Sequence, residues 1–173
     1  MNDKVKSIIV LTVICLVVTA LLAVTNSVTS PIIASARAEK VQESLKTVLP
    51  DAGQFCEVEL PENVPATVKS VYKAADGSYA VVLATKSAYS SGDMGVTLGI
   101  GPDRSISGIT LTSYQESKDF GRDTYPQNYL GKSAADYADV DSFAGVTYSS
   151  KALKAAIGDA FAVIDILEGG GAQ

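Results

Sequence analysis

The apolar positions change period along this chain, and each change marks an element. From Ser7 to Val28 no charged residue occurs, and apolar side chains fall on every face of the run. At about 1.5 Å per residue, roughly 20 such residues cross the ~30 Å hydrocarbon core of a bilayer, so this stretch predicts a transmembrane helix. Ser30-Pro31 is expected to break it. From Ala36 to Leu49 a helical period resumes, with Val41, Leu45, Val48 and Leu49 on one face and most charges opposite. Pro50-Asp51-Ala52-Gly53 ends that helix, and Leu60 to Pro65 reads as a proline-marked connector.

From Thr67 the period becomes two. Val68, Val71 and Tyr72 lead into Asp76-Gly77, and Tyr79 to Leu83 returns, which predicts a β-hairpin. Met94 to Ile100 and Ile106 to Thr112 are further strands around the turn Gly101-Pro102-Asp103-Arg104. From Lys151 to Leu167 the period is helical again: Leu153, Ala156, Ile157, Ala160, Phe161, Ile164 and Leu167 share a face. The expected fold class is α+β, an antiparallel four-stranded meander packed by helices on one face behind a single N-terminal transmembrane helix. The expected segments are a tail and anchor over 1–30, an amphipathic helix and connector over 31–66, a globular domain over 67–168 and a flexible Gly-rich tail over 169–173.

Flanking charges predict the orientation. Lys4 and Lys6 precede the apolar run, and the first positive charge beyond it is Arg37, so the amino end is expected in the cytoplasm and the rest outside. Ala34-Ser35-Ala36 has the small-x-small form of a cleavage site, but it lies past an over-long apolar run and past Pro31, so a retained anchor in a lipid bilayer is expected. Ile14 is too bulky before Cys15 for a lipoprotein site.

Composition removes several chemistries. The 173 residues contain no His and two Cys, Cys15 in the apolar run and Cys56 beyond it, so zinc sites, His-based triads, iron-sulfur cages and an intrachain disulfide are not expected. A net charge of −5 argues against nucleic acid as a partner. No glycine-rich dinucleotide or Walker pattern occurs.

Two polar stretches remain as candidate chemistry. In Asp141-Ser142-Phe143-Ala144-Gly145-Val146-Thr147-Tyr148-Ser149-Ser150, Thr147 stands just before the predicted helix. Ser149 and Ser150 are good N-cap residues, the first-turn N–H groups lack intrahelical partners, and the dipole there favours an anion. Gly145 permits a sharp turn or a close ligand approach. Ser and Thr precede many helices merely as caps, so spacing alone leaves phosphate binding and simple capping both open. The second stretch, Ser113 to Gly121, is a polar loop closing the last strand.

Both stretches resemble motifs of the FMN-binding domain family, whose members include the G subunit of the Rnf electron-transport complex and the C subunit of the sodium-translocating NADH:quinone reductase. The first resembles the flavinylation motif, with Ala144 where the family usually has Ser or Thr and Val146 where it has Ala. The second resembles a loop facing the flavin ring: Gln115, Glu116 and Gly121 match, Ser117 keeps a hydroxyl, and Tyr114, Lys118 and Asp119 depart. Tyr89-Ser90-Ser91-Gly92 is similar to the family's entry to its strand. The small span between anchor and sheet favours the Rnf branch.

The resemblance implies FMN joined through its phosphate to Thr147, with Gly145, Ser149 and Ser150 around the phosphate and Glu116 and Ser117 near the ring. It implies a separate flavin transferase, neighbouring integral-membrane redox subunits, and electron relay in an ion-translocating ferredoxin:NAD⁺ oxidoreductase of a prokaryotic cell membrane. Such a redox subunit would not be catalytic alone. The alternative is a non-redox anchored domain outside the membrane that binds a ligand or protein on the same sheet. Flavin colour surviving denaturation separates the two.

Overall fold

The computed structural model describes residues 3–87, 92–115, 121 and 123–169. Helix α1 spans Asp3–Val48, and the chain divides into two compact units, Met1–Lys40 and Val41–Gln173.

The first unit holds most of α1. Ile8, Leu11, Leu16, Leu21 and Leu22 are all exposed, so the helix is apolar around its circumference and is long and apolar enough to cross a membrane. Thr12, Thr19 and Thr25 donate their hydroxyls to the carbonyls of Ile8, Cys15 and Leu21 at 2.7–2.9 Å, so these three protons have partners on the helix itself. The break expected at Pro31 does not occur, and Pro31 lies inside the helix. A proline removes one backbone bond from the ladder and leaves the rest available, so a helix can continue through it with a local kink.

The second unit is a five-stranded antiparallel meander in the order β1-β2-β3-β4-β5. Its strands are β1 (Phe55–Val58), β2 (Val68–Ala74), β3 (Tyr79–Thr85), β4 (Met94–Ile100) and β5 (Ile106–Ser113), and helix α2 follows over Thr147–Gly169. Registers such as Val71↔Val81, Leu83↔Val96 and Leu98↔Ile109 align apolar side chains on one face. β1 is a strand that the hydrophobic pattern did not announce. It has four residues, Cys56 and Glu57 are exposed, and only its pairing with β2 (Phe55↔Ala74, Val58↔Val71) defines it.

The expectation of helices on one face is corrected. Tyr79, Val81, Leu83, Val96, Leu98 and Ile100 pack with Leu153, Ile157, Ala160 and Ile164 of α2. On the opposite face Ala74 and Ala80 pack with Leu45, Val48 and Leu49 at the end of α1. The physical reason is in β4, where large Met94, Val96, Leu98 and Ile100 alternate with small Gly95, Thr97 and Gly99, not with charged residues. The small side lets a helix backbone come close: a Cβ on Gly99 would stand 2.7 Å from the Val48 carbonyl oxygen. Thr97 spans the same contact with a buried hydrogen bond to Ser44 Oγ at 3.0 Å.

Candidate functional site at the start of α2

The long connection from β5 to α2 is built as a series of short turns, each tied down separately. Gly131 N–H donates to Ile106 O, and Ile106 N–H to Lys132 O, both at 2.8 Å, so the chain runs back beside the start of β5. Before this point Tyr125–Tyr129 forms a 3₁₀ turn with a proline in its first positions. After it Tyr137–Asp139 forms a second. Asp136, preceding the second, accepts Ser133 N–H at 2.6 Å and Ser133 Oγ at 2.8 Å. Those bonds, with Lys132 beside it, hold its carboxyl below the usual aspartate range.

α2 receives these turns on its surface. Lys154 Nζ donates to Ala138 O at 2.7 Å and Val140 O at 2.6 Å, so this ammonium is committed to the loop. Tyr137 covers Gly158, where a Cβ would stand 2.6 Å from the phenol oxygen, and lies 5.7 Å from the Phe161 ring. Tyr125 is buried and donates its hydroxyl to Asp141 O at 2.9 Å, and its ring meets Tyr129 and Phe143 edge-on at 5.9 and 5.7 Å. Burial, then the hydrogen bond with Tyr125, pushes the Tyr129 phenol well up, so it stays protonated throughout the physiological range.

The candidate motif itself is a turn followed directly by a helix. Val146 N–H donates to Phe143 O at 3.2 Å, closing a four-residue turn in which Gly145 has φ +82°. That φ belongs to the third position of a type II turn, which a side chain strains. Nothing lies within 4 Å of a Cβ on Gly145, so the conformation, not crowding, calls for glycine.

The helix begins earlier than the sequence pattern implied. α2 starts at Thr147, and its first backbone bond runs from Ser150 N–H to Val146 O at 3.1 Å. Ser149 and Ser150 are therefore inside the first turn and buried, and they do not occupy the N-cap position expected of them. Thr147 is exposed, and among the described residues its hydroxyl has no hydrogen-bond partner. No acidic residue stands in the first turn, and Lys151, one turn on, is exposed.

The structure thus brings Gly145, Thr147, Ser149 and Ser150 together at one helix end. Glu116 and Ser117 lie outside the described residues, as do Lys118, Asp119, Phe120, Arg122, Tyr89, Ser90 and Ser91. The flanks of the second stretch are described. A Cβ on Gly121 would be 4.0 Å from the Phe143 ring, so that stretch ends against the first motif, and a Cβ on Gly92 would collide with Gln115. The supporting roles of Tyr125, Phe143 and Lys154 were not found from the sequence. Thr124-Tyr125-Pro126, a turn start with an early proline, was the available signal for the first of these.

An exposed hydroxyl at a helix N-terminus, two residues after a positive-φ glycine and with no carboxylate in its own turn, is a place where the helix dipole favours an anion. Residues 90–162, from the approach to β4 through most of α2, match the family model described as FMN-binding domain, which supports FMN as the ligand. Residues 5–48, essentially α1, match the model described as RnfG N-terminal region. The two matches together support an RnfG-type FMN-binding protein. No curated protein matches the chain.

Proposed function

We propose that the chain carries FMN as a phosphoester on Thr147 and serves as a membrane-anchored redox subunit of an Rnf-type ferredoxin:NAD⁺ oxidoreductase coupled to ion movement. The observation that carries this reading is Thr147 itself. It is an exposed hydroxyl without a hydrogen-bond partner among the described residues, at the first residue of a 23-residue helix, inside a stretch that matches the FMN-binding domain. First-turn N–H groups and the helix dipole favour the phosphate, with Gly145 leaving open space and Ser149 in the same turn. Lys151 adds a positive charge one turn away. Glu116 and Ser117 are assigned to the neighbourhood of the ring, on the resemblance of their stretch alone.

Modification of Thr147 breaks its O–H bond and forms an oxygen–phosphorus bond. FMN has no leaving group on its phosphate, so the donor is an anhydride of FMN such as FAD. The anhydride bond breaks, the departing nucleotide takes the electron pair, and the hydroxyl proton passes to a base of a flavin transferase. The resulting diester keeps one negative charge beside the positive helix end. Bound FMN supplies electron transfer with redox centres of neighbouring integral-membrane subunits, while the chain supplies position and electrostatics. A tether suits a domain outside the membrane, because FMN lost there could not be replaced from the cytoplasm and because anchoring keeps it concentrated near its partners.

The test is in-gel flavin fluorescence of the full chain co-expressed with a flavin transferase. Wild type should fluoresce, with the FMN mass on the tryptic peptide Ser133 to Lys151. Thr147→Ala should remain folded and dark, and Thr147→Ser should keep part of the signal, since only a methyl is lost. An unmodified wild type, or a fluorescent Thr147→Ala, would overturn the assignment.

A further inference from the structure

Ser150 has a bonding pattern that a phosphate ligand would not have. Its side chain is fully buried. Its Oγ accepts the Phe143 N–H at 3.1 Å and donates to Val146 O at 3.1 Å. Its own N–H also goes to Val146 O at 3.1 Å. A serine hydroxyl has one proton, and here that proton is already committed, as is the backbone donor. Nothing on Ser150 is left to donate to a phosphate oxygen.

The two hydroxyl bonds meet the first and last residues of the Phe143–Val146 turn. They clasp that turn onto the first turn of α2 from below. From the other side Tyr125 holds the approach through Asp141 O and through its ring against Phe143. Between these two supports Gly145 keeps its positive φ with no neighbour to crowd it, so the Val146 N–H to Phe143 O bond and the clasp around it supply the constraint. Thr147 is the next residue after the clasped turn. Its exposure therefore depends on a turn that Ser150 holds closed.

We infer that Ser150 is a positioning residue that presents Thr147 for modification and does not touch the flavin phosphate. The inference rests on Thr147 being the acceptor. Loss of the clasp lets the turn open, which lowers the fraction of chains offering Thr147 in the geometry a transferase requires, and with it kcat/KM for the acceptor. Once the ester has formed, the clasp no longer bears on the phosphate.

The experiment compares wild type with Ser150→Ala and Ser150→Cys as full chains in detergent. In the unmodified proteins, hydrogen exchange at the Phe143 amide should be faster in Ser150→Ala by roughly tenfold, the usual worth of one lost hydrogen bond, with exchange in the core strands unchanged. With purified flavin transferase and FAD, kcat/KM for FMN incorporation should fall in proportion to the closed fraction lost, at most by a similar factor, yet incorporation should still reach completion. Ser150→Cys, which keeps a weaker donor and acceptor at slightly greater volume, should lie between, and it serves if Ser150→Ala fails to fold. In the completed products the phosphorus NMR resonance and the flavin midpoint potential should match wild type.

Phe143 exchange unchanged in both variants would remove the clasp. An unchanged incorporation rate with faster Phe143 exchange would remove the positioning role alone. A displaced phosphorus resonance would make Ser150 a phosphate contact after all. A wild-type chain that accepts no FMN would overturn the reading of Thr147 and this inference with it.

Discussion

Gly108 of β5 lies against the backbone of Val48 so closely that a Cβ placed on it would stand 2.3 Å from the Val48 carbonyl oxygen and 2.5 Å from its Cα. Backbone atoms at the end of a helix cannot turn aside as a side-chain tip can. Gly108→Ala should therefore destabilise the second unit by about 3 kcal/mol, at the upper end of overpacking costs. Thermal unfolding of the full chain in detergent would measure it. A melting temperature equal to wild type would mean that α1 does not seat on β5 as described.

Asp136 gives a prediction with a definite sign. Its carboxyl accepts two bonds from Ser133 and lies beside Lys132, so its folded pKa is depressed. A depressed folded value contributes stability that is present above the unfolded pKa and disappears as pH falls through the folded one. Carboxyl NMR should place Asp136 below the ordinary aspartate value, and Asp136→Asn should reduce the steepness of acid unfolding below about pH 4. Titration of Asp136 at or above the ordinary value would count against the turn described here.

Much of this architecture was legible because the relevant signals are periodic. The face Leu153, Ala156, Ile157, Ala160, Phe161 and Ile164 is buried as its spacing required, and the hairpin around Asp76-Gly77 forms. What failed to show was governed by size and by distant partners. The second helix-covered face is written as Gly95, Thr97 and Gly99, small residues that carry no hydrophobic signal. β1 is defined by its pairing with β2, and Pro31 was read as a stop although α1 continues through it.

The site divides in the same way. The residue type at Gly145 points to a turn without any structure, and that turn forms with a positive φ. The sequence does not distinguish a serine that caps from one that clasps, because both uses need the same side chain and differ only in which carbonyl or amide faces it. Ser150 has the second use, and the Phe143 amide that identifies it lies outside the helix.

Orientation is the remaining expectation with a direct test. Lys4 and Lys6 lie immediately before the apolar run of α1, and the first positive charge after it is Arg37. Short basic flanks are retained in the cytoplasm, so the second unit should be outside, where a tethered flavin has its advantage. An alkaline phosphatase reporter fused after Gln173 should be active and a cytoplasmic reporter there inactive. Replacing both lysines, Lys4→Gln with Lys6→Gln, should weaken the bias and lower the phosphatase signal relative to total protein. An active cytoplasmic reporter on the wild-type chain would place Thr147 where free FMN is plentiful, and the argument that a covalent bond protects against its loss would no longer hold.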